Sequence, residues 1–358
     1  MQTLSDLIPD TEKEIIADMP MQGDQRHPAW HPLFNKASSS TNTLTNKAVA
    51  QVALQGNDIG WLNNLLPRCI DSNFEEAASA LAELRAYGGL LSAGFKVTPI
   101  PVTSAPTADF QINAGDGEVV VEVFAKHQDE DQQKMLEDIA KGGTPEGVER
   151  NKYIKGGVQV ETTTAVLQPG GKPDPNKAND SVQANMISRV CAAKGPEHQF
   201  AGDKPSILWI DFRSMGIWPD VISPDQAAPL MSWNDGITSG ALWYAFYGWR
   251  GAPIFEEDFV FSERIYKMGH NGRYRLTGKS KSKLSGALIS LPKATLLLEN
   301  PWATHRLPEM CRRYCVQLPF FDLTRTIADW KAGDAERQIE VHKSAIDEIE
   351  RIHQILNA

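Results

Sequence analysis

The stretch Thr107–His127, TADFQINAGDGEVVVEVFAKH, decides how this chain is read. Two short apolar runs flank a Gly-rich turn, with Asp109 at the mouth of the first and Glu122 in the middle of the second. Side chains alternate between the two faces of a strand. Val119, Val121 and Val123 therefore share one face, and Glu118, Val120, Glu122, Phe124 and Lys126 the other. In the first run Phe110 and Ile112 share a face, opposite Asp109 and Gln111. Burying both apolar faces together requires Phe110 across from Val121 and Ile112 across from Val119, because a one-residue slip turns one set outward. That register sets Asp109 against Glu122. Opposed residues of an antiparallel pair have Cβ atoms roughly 4.5–5.5 Å apart, where like charges are destabilising. Two such carboxylates share a proton, turn apart or hold a cation. Oxygen ligands, with the remaining positions left to water or phosphate, describe a Mg²⁺ site. The plainer reading is a strand-opening aspartate and a solvent-facing glutamate on a wet sheet face. The apolar pattern alone does not choose between the two.

Outward from this hairpin the chain alternates helices and strands. SNFEEAASALAELRAYGGLLSAG, residues 72–94, is the clearest helix: Ser72 or Asn73 caps it, acids fill its first turn, and Phe74, Ala77, Ala78, Leu81, Leu84, Gly88 and Leu91 form one stripe. FKVTPIPV follows as a strand. Upstream, TLTNKAVAQVAL and IGWLNNLL are helical, with Pro67 expected to mark a break. Downstream come the polar helix DEDQQKMLEDIAK, the alternating strand GGVQVETTTAVLQPGG expected to be half-exposed, the helix SVQANMISRVCAA and the buried strand SILWIDF. SGALWYAFYGW is a helix, GALISL and ATLLLEN are strands, and an amphipathic helix runs from about Asp334 to Leu356. The class is α/β or α+β around a central mixed sheet.

The 358 residues allow one large or two ordinary domains. A formal net charge of -9 excludes a surface that is basic throughout, so contact with nucleic acid would use local patches. Four cysteines in so long a chain do not make a disulfide scaffold, and a reduced cytoplasmic setting is expected. The acidic N-terminus does not resemble a signal peptide. No apolar run approaches the ~20 residues of a membrane span, so no membrane partner is expected.

EEAASALAELRAYGGLLSAGFKV, then TADFQI, VVVEVFAKH and DEDQQKMLEDIAK, together resemble the core of the PD-(D/E)XK, or restriction-endonuclease-like, nucleases. The later unit MISRVCAAKGPEHQFAGDKPSILWIDF is similar to the helix–strand that extends the sheet in many members. The resemblance covers residues 71–215, leaving 1–70 as a helical and irregular extension, 216–330 as a sheet and helix extension, and 331–358 as the C-terminal amphipathic helix. It implies a Mg²⁺- or Mn²⁺-dependent phosphodiester hydrolase, acting on DNA before RNA, in a prokaryotic or phage setting. Asp109 and Glu122 match the two metal-binding acids, with the carbonyl of Val123 as a further ligand. Glu83 matches the helix acid, with Glu76 as fallback. The departure is Phe124, which stands where the motif has lysine. Lys126 is two residues further along the same face, some 6–7 Å away at ~3.3 Å per residue, and is the relocated candidate, assisted by His127 or Gln128. The alternative is a catalytically degenerate member that binds nucleic acid or protein without cutting.

RYRLTGKSKSKLSG holds Arg273, Arg275, Lys279, Lys281 and Lys283, and reads equally as a backbone-contacting nucleic-acid loop or a solvated basic tip. Its TGKS is not a Walker A motif, because Arg273 stands at the first glycine position. Cys311 and Cys315, with His305, lack a fourth zinc ligand and are expected in the core. His27 and His31 around Trp30 are expected to pack in an irregular segment, and Lys194, Glu197, His198 and Gln199 to form a helix-to-strand loop. Trp243, Tyr244, Phe246, Tyr247 and Trp249 are expected to be core. In the last helix the expected stripe is Val341, Ala345, Ile349, Ile352 and Leu356, with Ile339, Ile346 and Ile355 at its margins. It buries itself on the domain or in a homodimer.

Overall fold

The computed structural model describes residues 2–356 except 23–24, 36–39, 57, 102–106, 128–129, 167, 193–199, 201, 214–221, 234–235, 257–264 and 277–281. Its centre is a six-stranded mixed sheet in the order β1–β2–β3–β6–β11–β12: Lys96–Pro99, Phe110–Asn113, Glu118–Ala125, Ser206–Asp211, Gly286–Leu291 and Ala294–Glu299. β3, β6 and β11 run parallel, while β1–β2, β2–β3 and β11–β12 are antiparallel. β6 and β11 are buried along their whole length, as the unbroken apolar runs SILWI and ALISL require. In β2–β3 Phe110 lies across from Val121 and Ile112 from Val119, the register that the apolar alternation demands.

Each sheet face carries its own core. On one, Phe110, Ile112, Val119, Val121 and Val123 pack under α6 (Phe74–Ser92), with α4 (Ser40–Gln55) and α5 (Ile59–Cys69) outside it. Asn73 caps α6, accepting from the amides of Glu75 (2.9 Å) and Glu76 (3.2 Å). Sandwiched between α4 and the sheet, α6 is buried almost all round, not along one stripe. Gly88 permits this: a Cβ there would lie 2.2 Å from the carbonyl oxygen of Leu44 in α4. Pro67 does not break α5, which runs through it to Cys69. The proline sits in the last turn on the exposed side, where a missing amide costs little. A buried pair pins α6 to the sheet: Arg85 Nε donates to Asp211 Oδ2 at 3.1 Å, with both side chains at most 3 % exposed. The N-terminal helices α1 (Leu4–Leu7), α2 (Asp10–Asp18) and α3 (Trp30–Phe34) complete this face. His27 is buried there, its Nε2 2.8 Å from the carbonyl oxygen of Asp71 and its ring edge-on to Phe74.

The other core gathers α8 (Val182–Cys191) and α9 (Ala241–Tyr247), with Trp243, Tyr244, Phe246 and Tyr247 all within it. Short pairs β7–β8 (Leu230–Trp233, Gly236–Ser239) and β9–β10 (Pro253–Ile254, Tyr266–Lys267) border it. Cys311 and Cys315, on α10 (Glu309–Cys315), are buried in the first core.

Between β3 and α8 the chain forms α7 (Glu130–Ala140) and a separate hairpin, β4 (Val148–Lys155) with β5 (Val158–Ala165). The alternation in VQVETTTA was expected to bury one face. Instead β5 pairs only with β4, and Val158 is 63 % exposed. Arg150 ties the hairpin to the end of α7, donating to the carbonyls of Ile139, Gly142 and Gly143 at 3.1 Å each. The last helix, α11 (Ala332–Leu356), also departs from expectation. It buries Ala335, Ile339, Ile346 and His353, while Val341, Ile352 and Leu356 face outward. His342 meets Trp243 edge-on, which rotates the helix onto the residues expected at its margins. No described helix is long and apolar enough to cross a membrane.

Candidate active site

β2 starts at Phe110, so β3 extends past it and the Val123 amide lies beyond the ladder. The Asp109 side chain fills that place. Its Oδ2 accepts from the Val123 N–H at 2.7 Å, while its own N–H donates to the Val121 carbonyl at 3.1 Å. The carboxyl is thereby turned onto β3, where it hydrogen-bonds the Glu122 side chain. Ionised carboxylates have only acceptors, so a bond between two of them requires a proton between them. Glu122 is 7 % exposed and Asp109 half-buried, so the pair lies at the margin of the interior with one open side.

Glu83 is the third member of the cluster. It and Glu76 are seven residues apart on α6, close to two helical turns, and so share a face. Arg68, from the last turn of α5, spans both. Its two terminal nitrogens reach the two oxygens of Glu83 at 2.8 and 3.2 Å, and its Nε donates to Glu76. Burial opposes the charge on Arg68, but hydrogen bonds and charge from Glu83 and Glu76 outweigh it and raise its pKa. The carboxyls respond the other way. Burial lifts Asp109 to about 6, against relief from the Val123 amide, the charge of Arg68 and the bond to Glu122. Burial, then the charge of Asp109, lifts Glu83 to about 7 even with Arg68 bound. This is a set of acids short of positive charge.

Lys126 is not brought to this cluster. β3 ends at Ala125, and the ammonium reaches the final turn of α8, donating to the carbonyls of Arg189 and of Ala192, the latter at 2.9 Å. Helix C-terminal carbonyls favour such a cation. Burial, then the charges of Arg189 and Arg273, press its pKa down to about 7. His127 is half-buried and turned toward the start of α6; burial lowers its pKa and the charge of Glu75 opposes that. Gln128 lies outside the described residues.

The basic segment does not form an open patch where it is described. Arg273 is buried and donates to the Cys191 carbonyl at 3.1 Å. Arg275 lies 5.2 Å over the ring of Trp302, and Lys283 donates to the Phe200 carbonyl at 2.7 Å. Lys279 and Lys281 lie outside the described residues, as do Lys194, Glu197, His198 and Gln199.

No protein-family model, curated protein or solved structure matches this chain. Among the described residues no group of three or more His, Cys, Asp or Glu side chains is arranged as a metal-ligand set, His305 with Cys311 and Cys315 included. Asp109 and Glu122 together offer hard oxygen donors that now share a proton, and Val123 meets Asp109 through its amide. Such a pair can exchange the proton for a divalent ion. Arg68 was not foreseen. It follows Pro67 in a helix whose apolar residues say nothing about a side chain crossing to α6.

Proposed function

We propose that this chain is a divalent-metal-dependent nuclease hydrolysing phosphodiester bonds, DNA before RNA, on a restriction-endonuclease-like core. The observation that carries the reading is the Asp109–Glu122 pair, two carboxyls on adjacent strands that hold a proton between them for want of a cation. The order of elements supports it. A helix bearing Glu83, three antiparallel strands, a further helix and a parallel strand give β1–β2–β3–β6, the succession that the resemblance implies.

Asp109 and Glu122 would hold Mg²⁺ or Mn²⁺. Bound there, the ion would supply charge to polarise a phosphate and to lower the pKa of an attacking water. The protein's own part is orientation and field. The Val123 amide fixes the Asp109 carboxyl, burial of Glu122 keeps bulk water from one side, and Glu83 adds negative potential. Lys126 in this arrangement is a cap for α8 and takes no part in stabilising charge at phosphorus.

The test is incubation of the purified protein with plasmid, linear duplex, single-stranded DNA and RNA, with Mg²⁺ or Mn²⁺, beside Glu122→Ala. Metal-dependent cleavage by the wild type, absent in the variant, is expected; cleavage that survives the substitution rules the site out. A second reading has its own observation. Phe124 occupies the motif lysine position and Lys126 is engaged elsewhere, which favours a non-cutting binding module. Binding of nucleic acid or protein without cleavage of any substrate would carry that reading.

A further inference from the structure

Carboxyl clusters that serve phosphoryl chemistry can hold one divalent ion or two, and the choice is set by how much negative charge is left uncompensated. In this chain a protein cation already stands inside the cluster. The Arg68 guanidinium takes both oxygens of Glu83, at 2.8 and 3.2 Å, and turns its Nε to Glu76. All the donor edges of a planar fork are then committed to carboxylates in a geometry that fixes its position. The side chain is 39 % exposed, while Glu83 is only 13 % exposed, so the acid is the partner that burial holds in place. The same charge acts on Asp109, the first member of the pair on the strands.

We propose that Arg68 is a built-in cation occupying the place of a second metal, so that the chain binds a single divalent ion on Asp109 and Glu122, with Glu83 anchoring Arg68 instead of ligating metal. This rests on the nuclease reading of the pair and says how many ions that site takes. An arginine never gives up its charge at working pH, and it cannot leave with product. Glu83 is thereby closed to a second ion, and the open carboxylate oxygens are those of the strand pair. Arg68 acts as a positioning residue: it touches the ligand set and not the reacting atoms.

Titration calorimetry with Mn²⁺, on the whole chain, tests this through binding alone. Wild type is expected to take one ion per chain. Arg68→Met, which leaves Glu76 and Glu83 without their cation, is expected to take two, whereas Arg68→Lys keeps the charge and remains at one. Two ions on the wild type, or one on a folded Arg68→Met protein, overturns the inference. Should Arg68→Met fail to fold, as circular dichroism would show, Glu83→Gln decides. An anchor that is not a ligand leaves Mn²⁺ affinity within about threefold, and a loss of tenfold or more refutes it. Glu122→Gln separates this from the underlying reading. Mn²⁺ binding unchanged in that variant, or absent in wild type, fails the site itself, while binding abolished by Glu122→Gln with two ions on the wild type fails only the role of Arg68.

Discussion

Replacing Glu122 with glutamine should make the protein more stable at alkaline pH. The amide at position 122 can donate to Asp109 permanently, whereas the native carboxyl does so only while the pair keeps its proton. A carboxyl whose folded-state pKa lies above its unfolded value binds protons more tightly in the native state. Stability is then greatest below the unfolded values, here 3.8 and 4.5, and is lost as the pH rises through about 6 for Asp109 and about 7 for Glu83. At about 1.4 kcal/mol per pH unit, the displacement of Asp109 corresponds to roughly 3 kcal/mol as a ceiling. Part of that is the burial of Asp109 itself, which the substitution leaves in place, so a gain of about 1–2 kcal/mol at pH 8 is expected. With about 2–4 °C per kcal/mol for chains of 150–250 residues, and less for longer ones, the melting temperature should rise by roughly 2–5 °C. Urea denaturation in EDTA at pH 5, 6, 7 and 8 measures both curves. Wild type should lose stability across this range and the variant should be flatter. A variant less stable than wild type at pH 8, or parallel curves, would refute the shared-proton geometry.

Asp211→Asn should destabilise by about 3–5 kcal/mol in urea titration, because it leaves the buried Arg85 guanidinium without its charge partner. Gly88→Ala should cost about 1–3 kcal/mol, since its Cβ would drive α4 off α6 at the Leu44 carbonyl; an unchanged urea midpoint would contradict that close approach. Lys126, whose pKa is lowered in the folded protein, should make stability rise between about pH 7 and 10. Lys126→Met should abolish that rise in thermal melts and leave Mn²⁺ affinity unchanged by calorimetry, because its ammonium serves α8 and not the carboxyl pair.

The part of the fold legible in the sequence is the part where apolar residues leave one arrangement. Phe110, Ile112, Val119 and Val121 can be buried together in a single register, and that register carries Asp109 to Glu122. SILWI and ALISL, apolar without alternation, could only be interior strands. Where contacts are polar or depend on how far an element extends, the sequence is silent. The same-face rule placed Lys126 along β3, yet the strand stops one residue earlier and the ammonium follows the nearest carbonyls. The alternation of β5 looks like a half-buried strand, but its partner β4 offers no core to bury against. In α11 the apolar residues span enough of the surface that two stripes were available, and packing on Trp243 selected the one through Ile339 and Ile346. Arg68 reached the site through a long flexible side chain, which no spacing encodes.

A crystal soaked in Mn²⁺ and measured for anomalous scattering puts the central claim to its most direct test. One peak between the carboxylates of Asp109 and Glu122, with Arg68 still forked on Glu83, is the predicted result. A crystal with no peak at that pair, or with the ion held by other residues while Asp109 and Glu122 keep their mutual hydrogen bond, would contradict it.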